Sequence, residues 1–509
     1  MAKYLGLRGS KLVALVTLCT SMGFVLIGYD NGLYGGIVAN PQFQESFPAV
    51  EGRPALLSTI VAIYSVGGWA GCLATAFVGD RLGRRWTIII GGLITAIGAL
   101  LQAAAFGIPQ LIVGRIVGGV GYGLVISTVP ILSSEVSEPK SRGRLATVNF
   151  LLANTGSCTV YWVNYGCVHL AGSKAWRIPV ILQVVFIIIF SAAAYLGPES
   201  PRWLVYKDHD EEALDVISRL KNRERHDSRV QALYQQIRDA VDLEARTGSG
   251  KWSHLLLGDD LGSRKRVIIA CSTQIFQQLG GINGLFYYET TIFVKVAGFS
   301  LSLANLMAGL LATWLVVASF IPMYLIDILG RRKILLSTVT GMSLCFVGIA
   351  VALSQSEANH NKAADGIAMT VLFFVYMALF VTGFQAIVFL YPTEVLPLRF
   401  RAKGNALSAS CQWIFSYAVV EFTPPAIDSI GYKYYIIFAV LNAVWVPLIY
   451  LFYPETAGKQ LEDIDALFAH GAMGNSLGHV IEGSIREEKL GPGAAEGVEG
   501  ETYIEDAKK

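Results

Sequence analysis

Apolar residues along this chain fall in long runs rather than in alternation. Many runs reach about 18 residues or more, the length that crosses a bilayer core of about 30 Å as helix. The pattern predicts twelve membrane helices, near residues 12–36, 55–79, 86–106, 109–132, 145–169, 178–196, 267–294, 302–328, 333–354, 366–393, 402–424 and 432–453. In a bilayer a helix satisfies its own backbone polar groups, whereas a β-barrel needs short alternating segments, which this chain lacks. The first run has no small-residue cleavage site after a short apolar core, so it is expected to be a membrane helix and not a removed signal peptide. Residues 197–266 interrupt the pattern, with a charged stretch from Asp208 to Ala245 and helical spacing at Leu214, Ile217 and Leu220. The predicted organisation is an N-terminal six-helix half (1–196), a cytoplasmic helical linker (197–266), a C-terminal six-helix half (267–453) and a polar, Gly-rich, mostly disordered tail (454–509).

Composition agrees with a membrane protein. Of 509 residues, 53% are hydrophobic and 15% are charged, against about 25% charged in an average soluble domain. A soluble enzyme, a nucleic-acid binder and a disordered scaffold are disfavoured, and a net charge of +2 carries no polyanion signal. The seven cysteines lie almost entirely inside apolar runs with no metal-ligand spacing, so no metal is expected. The arrangement of the few charges is more informative. Lys3/Arg8/Lys11, Arg81/Arg84/Arg85, Lys140/Arg142/Arg144, Arg331/Arg332/Lys333 and Arg399/Arg401/Lys403 cluster in the N-terminus and alternate loops. The opposite connections carry only Arg53, Lys174, Arg177, Lys295, Lys362 and Lys433. The positive-inside rule then places both termini in the cytoplasm.

The charges also repeat. Asp80-Arg-Leu-Gly-Arg-Arg85 recurs 247 residues later as Asp327-Ile-Leu-Gly-Arg-Arg332. Glu135 and Arg142 are seven apart, as are Glu394 and Arg401, and Pro198-Glu199 recurs as Pro454-Glu455. Three matches at nearly one offset indicate duplicated halves, and in transporters duplicated halves rock about a midplane site. Asp80, Arg84, Glu135, Arg142, Glu199, Asp327, Arg331, Glu394, Arg401 and Glu455 are therefore candidates for a cytoplasmic gate whose ion pairs join the two halves in one state.

The chain resembles the sugar porter branch of the major facilitator superfamily, and most closely its fungal members. The resemblance rests on Gly28-Tyr-Asp30-Asn-Gly32, Gly79-Asp-Arg-Leu-Gly-Arg-Arg85, Gly114-Arg115-Ile-Val-Gly118, Pro198-Glu-Ser-Pro-Arg-Trp203, Gln277-Gln-Leu-Gly-Gly-Ile-Asn283 through Tyr287-Tyr288, Asp327-Ile-Leu-Gly-Arg-Arg332, and Pro454-Glu-Thr-Ala-Gly458 with Leu461-Glu-Asp-Ile-Asp465. It implies an all-α membrane fold of twelve helices in two six-helix halves.

Gln277, Gln278 and Asn283 are candidate sugar ligands, because an amide both donates and accepts. On an ideal helix Asn283 would sit about 140° from Gln278; unwinding at Gly280-Gly281 would bring them together. Tyr287 and Tyr288 are expected to gate the outer side. The resemblance adds Phe389, where many members have Trp, the amide–Trp pair Gln412-Trp413, and Gln385, where relatives often have Gly. Phe150 replaces a fifth-span Gln, the Trp314-Leu315 region replaces an eighth-span Asn, and Ile27 replaces an aromatic. These changes imply a less polar pocket and put glucose as the preferred substrate in doubt, with a pentose or a smaller polyol also compatible. Asp30 and Arg115 both fall in the outer part of the bundle. A charge at membrane depth costs roughly 2.5–3.5 kcal/mol or more, and proton-coupled relatives carry this pair, so Asp30 and Arg115 are expected to couple transport to protons. Glu421, before Thr-Pro-Pro, reads as an edge carboxylate, with a second coupling group as the alternative.

The expected function is import of a monosaccharide or small polyol by proton symport, with no cofactor and no enzymatic activity. The expected partners are the substrate and the lipid bilayer. Nucleic acid is not among them, and the chain is expected to be a monomer in the plasma membrane. A facilitative uniporter and a non-transporting sugar sensor are the alternatives.

Overall fold

The computed structural model describes residues 6–136, 142–247, 262–295, 297–359, 362–397, 401–457 and 468. The side chains of Arg142, Asp327 and Arg401 are not among those described. The tail motif 461–465 and the rest of the tail expected to be disordered also lie outside the described residues, apart from its first few residues and Phe468.

Every regular element among the described residues is helical. Helix α1 (Ser10–Ile37) is followed by the short α2 (Pro41–Ser46) and by α3 (Pro54–Ala103), which makes two passes joined at Gly83. Three single passes come next: α4 (Ile108–Val136), α5 (Arg142–Cys167) and α6 (Lys174–Leu196). Three short helices then replace the apolar pattern, α7 (Pro201–Tyr206), α8 (Asp210–Lys221) and α9 (Ser228–Thr247). The second half begins with a broken pass, α10 (Ser263–Leu279) and α11 (Ile282–Lys295), then a second, α12 (Leu301–Ala318) with α13 (Phe320–Leu329). It ends with α14 (Arg331–Asn359), α15 (Lys362–Phe380) running through a wide turn into α16 (Ala386–Val395), then α17 (Arg401–Ile430) and α18 (Lys433–Phe452). Taken in order these give twelve passes.

Nine segments among the described residues are long and apolar enough to cross a membrane. The other three passes are α5, α10–α11 and α17, and their sequences are less apolar for a reason. Their buried faces carry Asn149, Asn154 and Ser157, then Thr273, Gln274, Gln277 and Gln278, then Ser408, Ser416 and Thr423. Each of these passes makes at least one side-chain contact across the halves: Asn154 with Gln385, Tyr287 with Asn31 and Trp413 with Cys72.

Within the first half, glycines let backbones touch. A Cβ at Gly71 of α3 would lie 2.2 Å from the Val120 carbonyl oxygen of α4, and one at Gly123 of α4 would lie 2.3 Å from the Gly68 oxygen. Without a hydrophobic force between helices in lipid, such close approach supplies the dispersion contacts that hold them together. The halves meet along α1 against α11, α3 against α17, and α5 against α12.

The linker helices build a small core of Leu204, Val205, Ala213, Val216 and Val241. The buried face of α8 centres on Ala213, Val216 and Ile217, with Leu214 and Leu220 only half-buried. This shifts the expected stripe, because α8 is covered by α7 and α9 on neighbouring sides. Trp203 fixes α7 to the first half by donating to the Asp80 carbonyl at 3.1 Å.

Candidate functional site

The charged repeat forms two matching cages at the basic end of the bundle. In the first half Arg84 pairs with Glu135 through two bonds, 3.1 and 3.2 Å, and meets Asp80 at 3.5 Å. Glu199 accepts from the backbone N–H groups of Arg84, Arg85 and Ser200. Burial pushes the Glu199 carboxyl above its ordinary range, and those N–H donors pull it back. In the second half Arg331 pairs with Glu394 at 3.3 Å, and Glu455 accepts from the N–H groups of Arg331 and Arg332 at 2.9 and 3.0 Å.

The described pairs therefore close within each half, not across the halves as expected. The reason is topological: each arginine stands at a turn directly beside the carboxylates of its own six helices. Asp327, Arg142 and Arg401 lie outside the described side chains.

Both cages depend on a glycine. Gly83 has φ 84°, ψ 175° and Gly330 has φ 81°, ψ 163°, a region open essentially only to glycine. A Cβ there would approach Glu199 Oε2 to 2.4 Å and Glu455 Oε2 to 2.6 Å. Gly83→Ala is expected to displace Glu199 and to cost about 1–3 kcal/mol, measurable as a lowered melting temperature of the purified protein. An unchanged melting temperature would contradict this role.

Deeper in the bundle, the seventh pass breaks where the double glycine predicts. Gly281 has φ +91°, and a Cβ on it would lie 2.7 Å from Phe346. The freed Gly280 carbonyl accepts from the Tyr376 hydroxyl at 2.8 Å and from Asn442 at 3.4 Å, so the break leaves no orphan acceptor. It brings the three amides together. Gln278 donates to Gln277 at 3.0 Å, and Asn283 donates both to Gln278 and to Ser416 of α17, the latter at 2.7 Å.

The two tyrosines diverge. Tyr287 crosses to the first half and donates to Asn31 at 3.3 Å. Tyr288, whose backbone leaves the helical region at φ −130°, turns into its own half and donates to the Val420 carbonyl at 3.1 Å. Only Tyr287 reaches across the halves, because the kink rotates its neighbour toward α17.

Gln385, at the end of the wide turn, forms a reciprocal amide pair with Asn154 of α5, 2.8 and 2.9 Å. Asn154 also donates to Ser319 at 2.6 Å. Phe389, 40% exposed, packs against Phe150 across the halves with ring centroids 5.5 Å apart. Trp413 crosses to the first half, donating to the Cys72 sulfur at 3.1 Å and meeting Tyr122 edge-on. Gln412 is half-buried and makes no hydrogen bond to a described residue. Asn154, one turn after Phe150, is the α5 amide that meets Gln385. Asn154, Asn31 and Ser416 went unnoticed in the sequence. The available signal was a polar residue inside an apolar run, which by itself does not say which face it occupies.

Asp30 and Arg115 are both buried but do not form an ion pair here. Arg115 lies between the rings of Tyr34 and Tyr64, at 4.1 and 4.3 Å, and donates to the Ile60 and Val61 carbonyls at 3.2 and 2.7 Å. Two aromatic faces and two carbonyls supply the compensation that a buried guanidinium needs. Its Nη1 and the Asp30 Oδ2 are both buried without a hydrogen-bond partner. Direct pairing of these two residues is therefore not a feature of this arrangement.

At the end opposite the cages, further bonds cross the halves. Thr59 donates to Glu421 at 2.6 Å, Trp162 donates to Thr313 at 3.0 Å, and Tyr161 donates to the Phe286 carbonyl at 2.5 Å. Glu421, half-exposed near this end of α17, is thereby joined to the first half. These bonds join the two halves at this end of the bundle.

The comparisons with known proteins decide the family. The family described as "Sugar (and other) transporter" matches residues 16–468. The chain belongs to this family, the sugar transporters of the major facilitator superfamily. The chain is 37% identical to the MFS-type transporter oryC of Aspergillus oryzae, over 91% of this chain and 87% of that protein. It is 35% identical to the sugar transporter STL1 of Saccharomyces cerevisiae, over 91% and 82% of the two chains. The fold matches the proton:xylose symporter XylE bound to 6-bromo-6-deoxy-D-glucose with a TM-score of 0.74, covering 90% of this chain and 100% of that one at 23% identity. Membership makes this sugar transporter a multi-pass membrane protein and not an enzyme.

Proposed function

We propose that this transporter imports a monosaccharide or small polyol by proton symport through alternating access, as a monomer in the plasma membrane with both termini in the cytoplasm and no cofactor. The basic end then faces the cytoplasm, and the opposite end faces outside. Substrate hydroxyls meet Gln277, Gln278, Asn283, Gln412 and the Asn154–Gln385 pair, while Phe389 and Trp413 supply apolar faces for sugar C–H groups.

One observation carries the coupling. Asp30 holds a buried, unpartnered carboxylate oxygen while Arg115 is engaged elsewhere with one N–H unpartnered. A charged carboxylate at this depth without a donor is costly, so Asp30 in this state carries a proton. Deprotonation restores the attraction to Arg115 and favours the alternative arrangement. The proton:xylose symporter sharing this fold supports the reading.

The test is purified full-length protein in liposomes, with uptake of xylose, glucose, arabinose and glycerol measured with and without an inward proton gradient. Symport predicts accumulation above the external concentration and a substrate-evoked alkalinisation outside. Uptake that only equilibrates identifies a uniporter; no uptake of any probe supports a sensor.

A further inference from the structure

A second buried carboxylate stands apart from the coupling pair. Glu289 follows Tyr288 on α11, is 2% exposed, and its Oε1 has no hydrogen-bond partner. The Tyr161 hydroxyl of α5, in the other half, gives its hydrogen to the Phe286 carbonyl one turn before Glu289, so that hydrogen is not available to Glu289. A buried carboxylate oxygen without a donor is costly, whereas the neutral acid needs no such donor.

Among the described residues, no cation offsets a charge at Glu289. From α1, Asp30 acts on Tyr287, with Arg115 of α4 behind it. From α17, Glu421 acts on Tyr288, and Asp428 is paired with Lys295 at 3.0 Å. Helix α12 carries no ionisable side chain. From α15, Tyr376 is spent on the Gly280 carbonyl, and Asp365 stands in the first turn. Tyr161 is the group contributed by α5. The same residues join the halves at the outer end, because Tyr161 joins α5 to α11 and a Cβ on Gly35 of α1 would lie 2.5 Å from its hydroxyl.

We propose that Glu289 is a second proton-binding site, distinct from Asp30, which takes up a proton from the outside as the outer gate closes and returns it when the gate opens. The proposal rests on the orientation given above, with the Tyr161 end facing outside. Opening separates Tyr161 from α11 and admits water to Glu289, where the carboxylate form is stable. Closing removes that water and leaves Oε1 without a donor, so the carboxylate takes a proton. The closed state binds one more proton at this site, so closure is favoured at low external pH and lost as pH rises. Glu289 tunes the gate and adds no proton to the transported stoichiometry.

Hydrogen–deuterium exchange of the full-length purified protein tests this without any substrate, so a failure of transport and a failure of this site are distinguishable. The background is Asp30→Asn, which removes the response of the coupling site. Exchange of peptides from α5 and α11 is followed across pH and divided by the intrinsic rate of unstructured peptide. The Asp30→Asn protein is expected to retain a pH-dependent protection of up to about tenfold per pH unit, the limit for one linked proton. Adding Glu289→Gln is expected to flatten it. A pH-independent Asp30→Asn protein, or an undiminished slope after Glu289→Gln, overturns the proposal. If the double variant does not accumulate, Glu289→Asp in the same background keeps a titrating carboxyl at this position, and the pH-dependent protection is expected to remain; a flattened slope in that variant overturns the proposal.

Discussion

Asp30→Asn is expected to leave substrate exchange intact and to abolish accumulation. One elementary charge moving through about 100 mV is worth about 2.3 kcal/mol, which supports roughly fifty-fold accumulation of a coupled neutral solute. Asparagine cannot take part in the proton step, yet its amide has the shape of the neutral acid that this state favours. The variant should therefore still switch and equilibrate substrate, with the ratio falling from that limit to about one. Counterflow and gradient-driven uptake in the same liposomes separate the two properties. Retention of full concentrative uptake by Asp30→Asn would remove Asp30 from the coupling role and leave uniport as the better account. The energetic reason lies in burial: the carboxylate oxygen has no donor and Arg115 is held by two carbonyls and two rings.

Gly28→Ala is the substitution expected to damage folding most. A Cβ on Gly28 would lie 1.6 Å from the Ala153 carbonyl oxygen and 2.9 Å from the Ser157 nitrogen, and one on Gly156 would lie 2.0 Å from the Val25 oxygen. These are backbone atoms of a facing helix, which cannot rotate away as a side chain would. Accommodating the methyl requires α1 and α5 to separate, losing dispersion contacts along their whole crossing. The expected cost is several kcal/mol, the range of severe overpacking, read as loss of a monodisperse peak and a collapsed melting temperature in detergent. Gly166→Ala is the matched control, since a Cβ there meets nothing within 4 Å. Equal melting temperatures for the two variants would show that the α1–α5 contact is not needed for the fold.

The loop arginines and duplicated carboxylates were legible in the sequence because topology requires charge at helix ends. Their partners were not legible, since which carboxylate an arginine meets depends on which half its turn faces. Arg84 and Arg331 accordingly found Glu135 and Glu394 inside their own halves. The amide cluster was legible because three polar residues in one apolar pass demand an interior face. Its geometry needed the break at Gly281, and its completion by Ser416 needed α17 folded against α11.

The sequence by itself determined a twelve-pass helical membrane protein with duplicated halves, because span length, charge placement and repeat offset are one-dimensional quantities set by bilayer thickness and topology. Only the tertiary structure decided what each buried polar group does. Hydrogen bonding is a short-range, directional property, and its partners come from helices far apart in the chain: Asn154 with Gln385, Thr59 with Glu421, Asn31 with Tyr287. Asp30 and Arg115 were identified from position and residue type, but that each is satisfied, or left unsatisfied, apart from the other is a fact of packing. Glu289 shows the same limit most clearly, since nothing in its sequence neighbourhood says that this carboxylate is buried until the helices pack around α11.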